Sequence, residues 1–545
     1  MVGSGSRSIP NAAIVACAVV AIVLGVALRF FDLGRPLFWQ DEAYTALRTT
    51  GHLESEYRPL FDGGVHGAGE IRAFVSLDSS RGVADVVRAL AAEDPQHPPL
   101  FYVLERCWIG AFGSSATAFR SLSAIFGAFG IALAFALGNA LLRSRVAGAV
   151  GAGLFALSPL FVLYARQARE YALFADATLL ATLALIPALR APTLRAWTAY
   201  AACVTFGLYT DPLFLLVGLS HALTTLLYGA PRLRRLRSWA LATLAGAVPF
   251  APWALNAARS GNTIPNELEW AQTFYPLKYL AQKWLFNLGA LAFDGEFRSL
   301  WLAPLALLVV VAIVFAAVVF VRRRDRLAFA VIAPLVVTTF AVVVVRDVVE
   351  GAHFATIPRY LIATWIGLEL VLATALWTGL GSARYRTLAF AAWVVLLVCG
   401  IVSGAVRGGA ENWWDNNDQV AFQAVARQID RANRPLVITQ GHWHVPLVLV
   451  RYLRDDAAFL LFRDAPPAIP SGRSAFLISP TNDVLRAVAE RARGRYALAN
   501  VSPASATIIG GFHRGLVRAS PAMFRGNAPA FVPQNALWSL RPRTK

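Results

Sequence analysis

Lysine is nearly missing from this chain of 545 residues; it stands only at Lys278, Lys283 and Lys545. Charged residues of all kinds make up 15 %, against about 25 % in an ordinary soluble protein. A water-soluble globule is therefore excluded. Cysteine is equally sparse. Cys17, Cys107, Cys203 and Cys399 are widely separated and all lie in apolar stretches, which leaves no basis for a disulfide framework or a thiolate metal site. The C-terminal part shows no glycine-rich phosphate fingerprint after a strand pattern, so no nucleotide site is visible. Nor is there a basic soluble face set with aromatic platforms, which argues against nucleic acid as a partner.

What is present is apolar and arginine-rich. Hydrophobic residues reach 57 %, mean hydropathy is +0.54, and net charge is +18. Much of that charge sits in short clusters between apolar runs: Arg143 to Arg145, Arg232 to Arg237, Arg322 to Arg326 and Arg384 to Arg386. Cytoplasmic loops of membrane proteins carry such clusters. A hydrocarbon core of about 30 Å needs about 20 apolar residues. Runs suited to crossing it lie near 11–30, 99–113, 117–142, 146–164, 171–190, 195–210, 212–229, 238–256, 300–321, 327–345, 359–379 and 386–404. The first has no small-x-small cleavage site and reads as a retained helix with a cytoplasmic N-terminus.

The expected architecture is thus a mainly α, polytopic protein of about 12–13 transmembrane helices with a small C-terminal α/β domain. The boundary falls near 410/411, giving a membrane domain 1–410 and a soluble domain 411–545. A long loop, 31–98, carries helical patterns at 40–50 and 83–92. The second (Val83, Val86, Val87, Leu90) suits a helix lying on the membrane surface. A second loop, 257–299, holds Trp270, Phe274, Tyr275, Tyr279, Trp284 and Phe286 and reads as interfacial. Placing 31–98 outside and every arginine cluster inside demands an odd number of crossings between 99 and 142, where the pattern suggests two. In the tail, an amphipathic helix is expected over 418–432. Strands are expected at 436–439, 475–478 and 506–509, and helices at 445–454 and 483–493.

Five constellations could carry chemistry. Asp41-Glu42 with Tyr44 follows the first span and could equally be solvated acids at a helix end. His97 precedes Pro98-Pro99, which suit a helix entry. Arg166 and Arg169, in the run Tyr164 to Tyr171, have the spacing to share a helical face and so to neutralise one phosphate; the bland alternative is a solvated turn at Arg169-Glu170. Asp211-Pro212 breaks a long apolar stretch. Arg359-Tyr360 enters a late span, where arginine and tyrosine are common anchors. Glu105, Asp176 and Glu369 fall within apolar runs and suggest a second class, a secondary transporter or lipid flippase. No duplicated halves accompany them.

In this order, the motifs resemble the GT-C superfamily of membrane glycosyltransferases, in the branch of protein O-mannosyltransferases and lipid A aminoarabinose transferases. The resemblance rests on Asp41-Glu42 in a long first loop, His97-Pro98-Pro99-Leu100, and Phe112-Gly113 with Arg120-Ser121-Leu122-Ser123. It continues through Ser158-Pro159 to Tyr171 and Pro358-Arg359-Tyr360. It spans about residues 10–405. Asp211-Pro212 departs from the pair often found in relatives, which bears on protein mannosylation more than on sugar transfer.

The resemblance implies an inverting hexosyl- or pentosyltransferase in the plasma (inner) membrane, with active site and C-terminal domain on the external face. The donor would be a polyprenyl-phosphate sugar and the acceptor a lipid, glycan or protein, with membrane lipids as surroundings. Asp41 is then the expected base, with Glu42 orienting acceptor or helix. Tyr44, His97, Arg120, Arg166, Arg169, Tyr171, Asp211, Arg359 and Tyr360 are the expected substrate contacts. The leaving phosphate needs cations rather than a second acid. No cofactor is required, although a divalent metal near the acids is compatible with the chemistry.

Overall fold

A computed structural model describes residues 9–260, 277–294, 303–411, 422–502 and 537–542, apart from the single positions 324, 442 and 494. Two compact units emerge. One comprises 1–33, 90–101 and 120–409; the other comprises 34–89, 102–119 and 410–545. Residues 34–89 of the first loop therefore group with the C-terminal region, a different division from the simple cut at 410.

The first unit is a helical bundle. Among the described residues, seven helices are long and apolar enough to cross a membrane: Asn11–Phe30, Ala116–Leu142, Tyr171–Arg190, Arg232–Arg259, Arg326–Glu350, Pro358–Leu380 and Arg386–Gly408. Arg145–Leu157 and Pro159–Ala165 together make a further span bent by 63°. Phe214–Leu227 and Leu307–Arg322 are apolar but shorter. Local chemistry sets the ends. Ser144 caps the 145–157 helix through Ala147 N–H (3.3 Å), and Thr193 caps Leu194–Thr210 through Ala196 N–H (3.2 Å). Asp325 accepts from both Leu327 and Ala328 (3.1 Å each). The spans differ in burial. The most apolar 18-residue stretch of Tyr171–Arg190 and that of Pro358–Leu380 are each 78 % buried, whereas that of Asn11–Phe30 is 22 % buried. The last displays Val15, Val19, Val20 and Val23 outward, as a lipid-facing helix must.

Two sequence expectations change. Leu100–Phe112 is a 13-residue helix, about 20 Å long, too short to cross. The single crossing at Ala116–Leu142 supplies the odd number that the arginine clusters demanded. The amphipathic face of Val83–Glu93 is partly covered by protein, with Val86 and Leu90 fully buried and Val83 exposed. Of the proposed interfacial aromatics, Trp270, Phe274 and Tyr275 lie outside the described residues, as does the strand expected at 506–509.

The second unit is built on a six-stranded sheet, with β1 (Asp62–Gly67), β2 (Pro435–Gln440), β3 (Ala458–Phe462), β4 (Ser474–Ile478), β5 (Tyr496–Asn500) and β6 (Leu537–Pro542) in the order β1-β3-β2-β4-β6-β5. β2 runs parallel to β3 and β4. Continuous apolar strands such as Ala458–Phe462, buried throughout, are what an interior parallel strand needs. Helix Asn482–Ala492 contributes Val484 and Val488 to the core with Leu436, Ile438, Leu460 and Leu477. Edge strand β1 comes from the first loop and pairs antiparallel with β3, Gly67 opposite Ala458. That pairing ties the loop to the tail.

One buried ion pair anchors the end of the last span. Arg407 donates to both Asp294 oxygens (2.7 and 3.1 Å), and both residues are about 2 % exposed. Arg407→Met is expected to destabilise the protein by about 3–5 kcal/mol, because a buried carboxylate loses its partner. A thermal unfolding midpoint equal to wild type would contradict this account of the pair.

Candidate active site

The acidic pair lies in the second unit. Helix Gln40–Thr49 begins after Trp39, whose N–H donates to Glu42 Oε2 (3.3 Å). Glu42 is fully buried and so serves the start of its own helix. Asp41 is half-buried. The segment ahead of the helix is clamped. Phe38 N–H donates to the Tyr452 hydroxyl (2.7 Å), and the Arg451 guanidinium sits over the Phe38 and Phe119 rings at 4.0 and 5.3 Å, a cation–π arrangement. Tyr44 packs edge-on against Trp443 at 4.3 Å. Glu105 is wholly buried on the short helix 100–112. Burial first, and Glu42 second, push its carboxyl well above the usual range.

The basic residues lie in the bundle. Three turns converge there. The first, Asp94 to Pro99, is held by Trp253 Nε1 on Pro95 O (3.0 Å) and Asn256 Nδ2 on Ala91 O (2.8 Å); it carries His97. The second, Arg166 to Glu170, joins the bent span to Tyr171–Arg190. The third, at Asp211, ends Leu194–Thr210; there the carboxylate accepts from Leu213 N–H (2.8 Å).

His97 Nδ1 lies 3.3 Å from Glu170 Oε1. Arg169 Nη2 is 3.1 Å from that same oxygen and 3.4 Å from His97 Nε2. Ser123 Oγ holds the Arg169 carbonyl (3.2 Å), and the guanidinium lies 5.6 Å from the Tyr171 ring centre. Burial alone would raise the Glu170 carboxyl. The Arg169 charge and the His97 hydrogen bond overcome it and hold the group at about 2. Asp211 goes the other way: burial, then repulsion from Glu170, push it up to about 7 against the pull of His97 and Arg169.

Several expectations are corrected here. Arg169-Glu170 is no solvated turn, since both residues are 5 % exposed or less. Arg166 and Arg169 do not share a helical face, because the helix stops at Ala165. Arg166 instead donates to the carbonyls of Leu28 and Phe31 (2.6 Å each), closing the C-terminus of the first span. Burial, together with nearby Arg120, lowers its pKa to about 10 despite Asp32. Arg120 Nη1 likewise takes Leu33 O (2.6 Å). Tyr171 is buried and stacks edge-on with Tyr164 (5.1 Å). Arg359 lies over Tyr360 at 5.5 Å, and Tyr360 meets Phe354. Glu170 is the member that sequence reasoning passed over; its only signal was adjacency to Arg169. Glu105, Asp176 and Glu369 occupy three different helices, each enclosed by protein. Among the described residues, no three His, Cys, Asp or Glu side chains gather as metal ligands.

A bundle of this kind, with a long acidic first loop and a small sheet domain, has the architecture of the GT-C membrane glycosyltransferases. Residues 96–255 match the dolichyl-phosphate-mannose-protein mannosyltransferase family. That interval contains His97, Arg120, Arg166, Arg169, Tyr171 and Asp211. The chain is similar in fold to the Archaeoglobus fulgidus oligosaccharyltransferase in its apo form, at 13 % identity and TM-score 0.51 over 97 % of this chain and 76 % of that one. Two further structures are similar at lower scores. One is ArnT from Cupriavidus metallidurans bound to undecaprenyl phosphate, at 14 % identity and TM-score 0.49 over 98 % of each chain. The other is the archaeal oligosaccharyltransferase AglB from Archaeoglobus fulgidus with an inhibitory peptide and a dolichol-phosphate, at 13 % identity and TM-score 0.49 over 89 % and 69 % of the respective chains. No curated protein sequence matches the chain.

Asp211 gives the cluster a pH response with a definite sign. Below about pH 7 its carboxyl keeps the proton; above it a second carboxylate stands beside Glu170. Wild type is expected to lose stability relative to Asp211→Asn as pH rises from about 5 to about 7, because the folded chain keeps a proton on Asp211 that the unfolded chain has released; unfolding midpoints of both across that range check it. Superimposable pH profiles would remove Asp211 from the electrostatics of the site.

Proposed function

We propose that this protein transfers a sugar from a polyprenyl-phosphate carrier to a hydroxyl-bearing acceptor, with inversion at the anomeric carbon, on the external face of the membrane. The observation that carries the reading is the cluster of buried Arg169 and Glu170 with half-buried His97, seated within the interval that matches a lipid-phosphate-sugar-using family. Arg169 is oriented by a carboxylate that stays ionised, so its guanidinium enters the reaction already in place. A planar guanidinium suits phosphate oxygens. Preorganised positive charge is what a departing phosphate needs as its charge builds.

The acceptor hydroxyl must lose a proton as it attacks. Asp41 is the base: it is half-buried on the first turn of a helix fixed by Arg451 and Tyr452, while Glu42 is taken up at the helix start. Arg359 serves as a second phosphate ligand. Arg120 and Arg166 act one step back, holding the chain that leaves the first span. The phosphate departs as a stable anion, so no protonating acid and no metal are needed. The two-carboxylate requirement of glycoside hydrolysis does not arise.

Asp41→Asn is expected to lower transfer by about 10²–10⁴ while binding of undecaprenyl phosphate stays unchanged. In cells lacking the gene, mass spectrometry of envelope glycolipids and glycoproteins should show a glycan restored by wild type and not by Asp41→Asn; full restoration by the variant would remove Asp41 as base. Arg169→Ala is expected to weaken undecaprenyl phosphate binding at least about tenfold, since a buried charged contact is lost, and Arg359→Ala to do so less. Unchanged affinity in Arg169→Ala would exclude the phosphate role.

A further inference from the structure

The bent span poses a problem that the fold solves in an unusual place. In an unbroken helix the Phe155 carbonyl would accept from the N–H four residues on. That residue is Pro159, which has none. The Ala156 carbonyl is freed by the same break, at which Ser158 leaves helical geometry. Carbonyls without partners are costly within a bundle that lipid surrounds. Arg29, near the end of the first span and fully buried, supplies the missing donors. Its Nη1 donates to Ala156 O (2.5 Å) and Gly25 O (2.8 Å), and its Nη2 to Phe155 O (3.2 Å).

That solution brings a full charge into the bundle. Its electrostatic partner is Asp176, 2 % exposed on the Tyr171–Arg190 helix. Neither Asp176 oxygen has a hydrogen-bond partner among the described residues, and neither has Arg29 Nε. Asp176 lines a cavity of about 10 Å³, walled by Gly127, Phe155, Phe161, Tyr164 and Tyr171. That is about the volume one water needs. The Ala116–Leu142 helix leaves the room for it. A Cβ on Gly127 would stand 3.2 Å from Arg29 Nε, and one on Gly130 would stand 2.7 Å from Asp176 Oδ1. Two glycines one turn apart, of which Gly127 also walls the cavity, thus let the helix backbone pass close to the two unsatisfied groups.

We propose that this cavity is a binding site for a single water molecule on the Asp176 carboxylate, which together with the neighbouring Arg29 guanidinium forms a charge-neutral lock. The lock holds the span bent at Pro159 and so positions the Arg166–Glu170 turn. Asp176 and Arg29 are positioning residues. They act on the lipid phosphate only through Arg169, and that consequence rests on the function proposed above; the lock itself does not.

The full chain in lipid nanodiscs provides the test, with thermal unfolding and undecaprenyl phosphate binding read on the same samples. Asp176→Leu and Arg29→Met are each expected to lower the unfolding midpoint, and the double variant to lie well above the sum of the two losses, as coupled partners do. Asp176→Leu should weaken undecaprenyl phosphate binding about tenfold, a loss of the size expected when a supporting contact is removed. Asp176→Asn, which can still bind water but leaves the Arg29 charge unmatched, should rescue only part of that loss. Gly130→Ala, which presses a methyl group against Asp176 Oδ1, should behave like Asp176→Leu. If Asp176→Leu does not fold, Gly130→Ala and Asp176→Asn decide the matter. Strictly additive midpoints, or wild-type midpoints and affinity in Gly130→Ala, would overturn the lock. Failure of wild type itself to bind undecaprenyl phosphate would sink the donor reading and leave the unfolding cycle to judge the lock alone.

Discussion

A guanidinium taken out of water must find acceptors, and the bundle is organised around where its arginines find them. Arg29 takes the carbonyls freed at a broken helix, Arg166 those at the end of the first span, and Arg120 the one at Leu33. These contacts turn the weakest points of the backbone, its helix ends, into fixed joints. Arginine suits the task better than lysine, because its planar fork reaches two or three carbonyls at once and its charge is held firmly even under burial. The near-absence of lysine from the chain agrees with that use, although a GC-rich genome would also produce it.

Arg169 has titratable groups among its side-chain contacts, Glu170 and His97, with Asp211 within electrostatic range. A cation balanced by side chains can exchange a neighbour for an anionic ligand at less cost than one bound to backbone carbonyls. In the other unit the same economy places Arg451 over two aromatic rings, where it steadies the approach to the acidic helix.

The membrane character, the principal long spans and the position of most constellations were legible in the sequence, because hydropathy and proline-marked breaks are local properties. Pro98-Pro99 marked a helix start and Asp211-Pro212 a helix end, and both stand in the structure. What could not be read was pairing at a distance. β1 has the sequence Asp-Gly-Gly-Val-His-Gly, with little strand propensity; it is a strand because β3 offers it an edge. Arg166 and Arg169 have helical spacing, but the chain turns out of the helix between them. Glu170 looked like a solvated acid because burial is a tertiary fact. The 100–112 segment is apolar at both ends, but it carries Glu105 and Arg106 at its middle and is only 13 residues long. The roles of Arg29 and Asp176 were likewise invisible, since each matters only through the other.

An experimental structure of the full chain with undecaprenyl phosphate tests the central claim most directly. The account predicts phosphate oxygens within hydrogen-bonding distance of the Arg169 guanidinium, with Glu170 and His97 still in contact behind it. Phosphate bound elsewhere, with Arg169 turned wholly to protein, would contradict it.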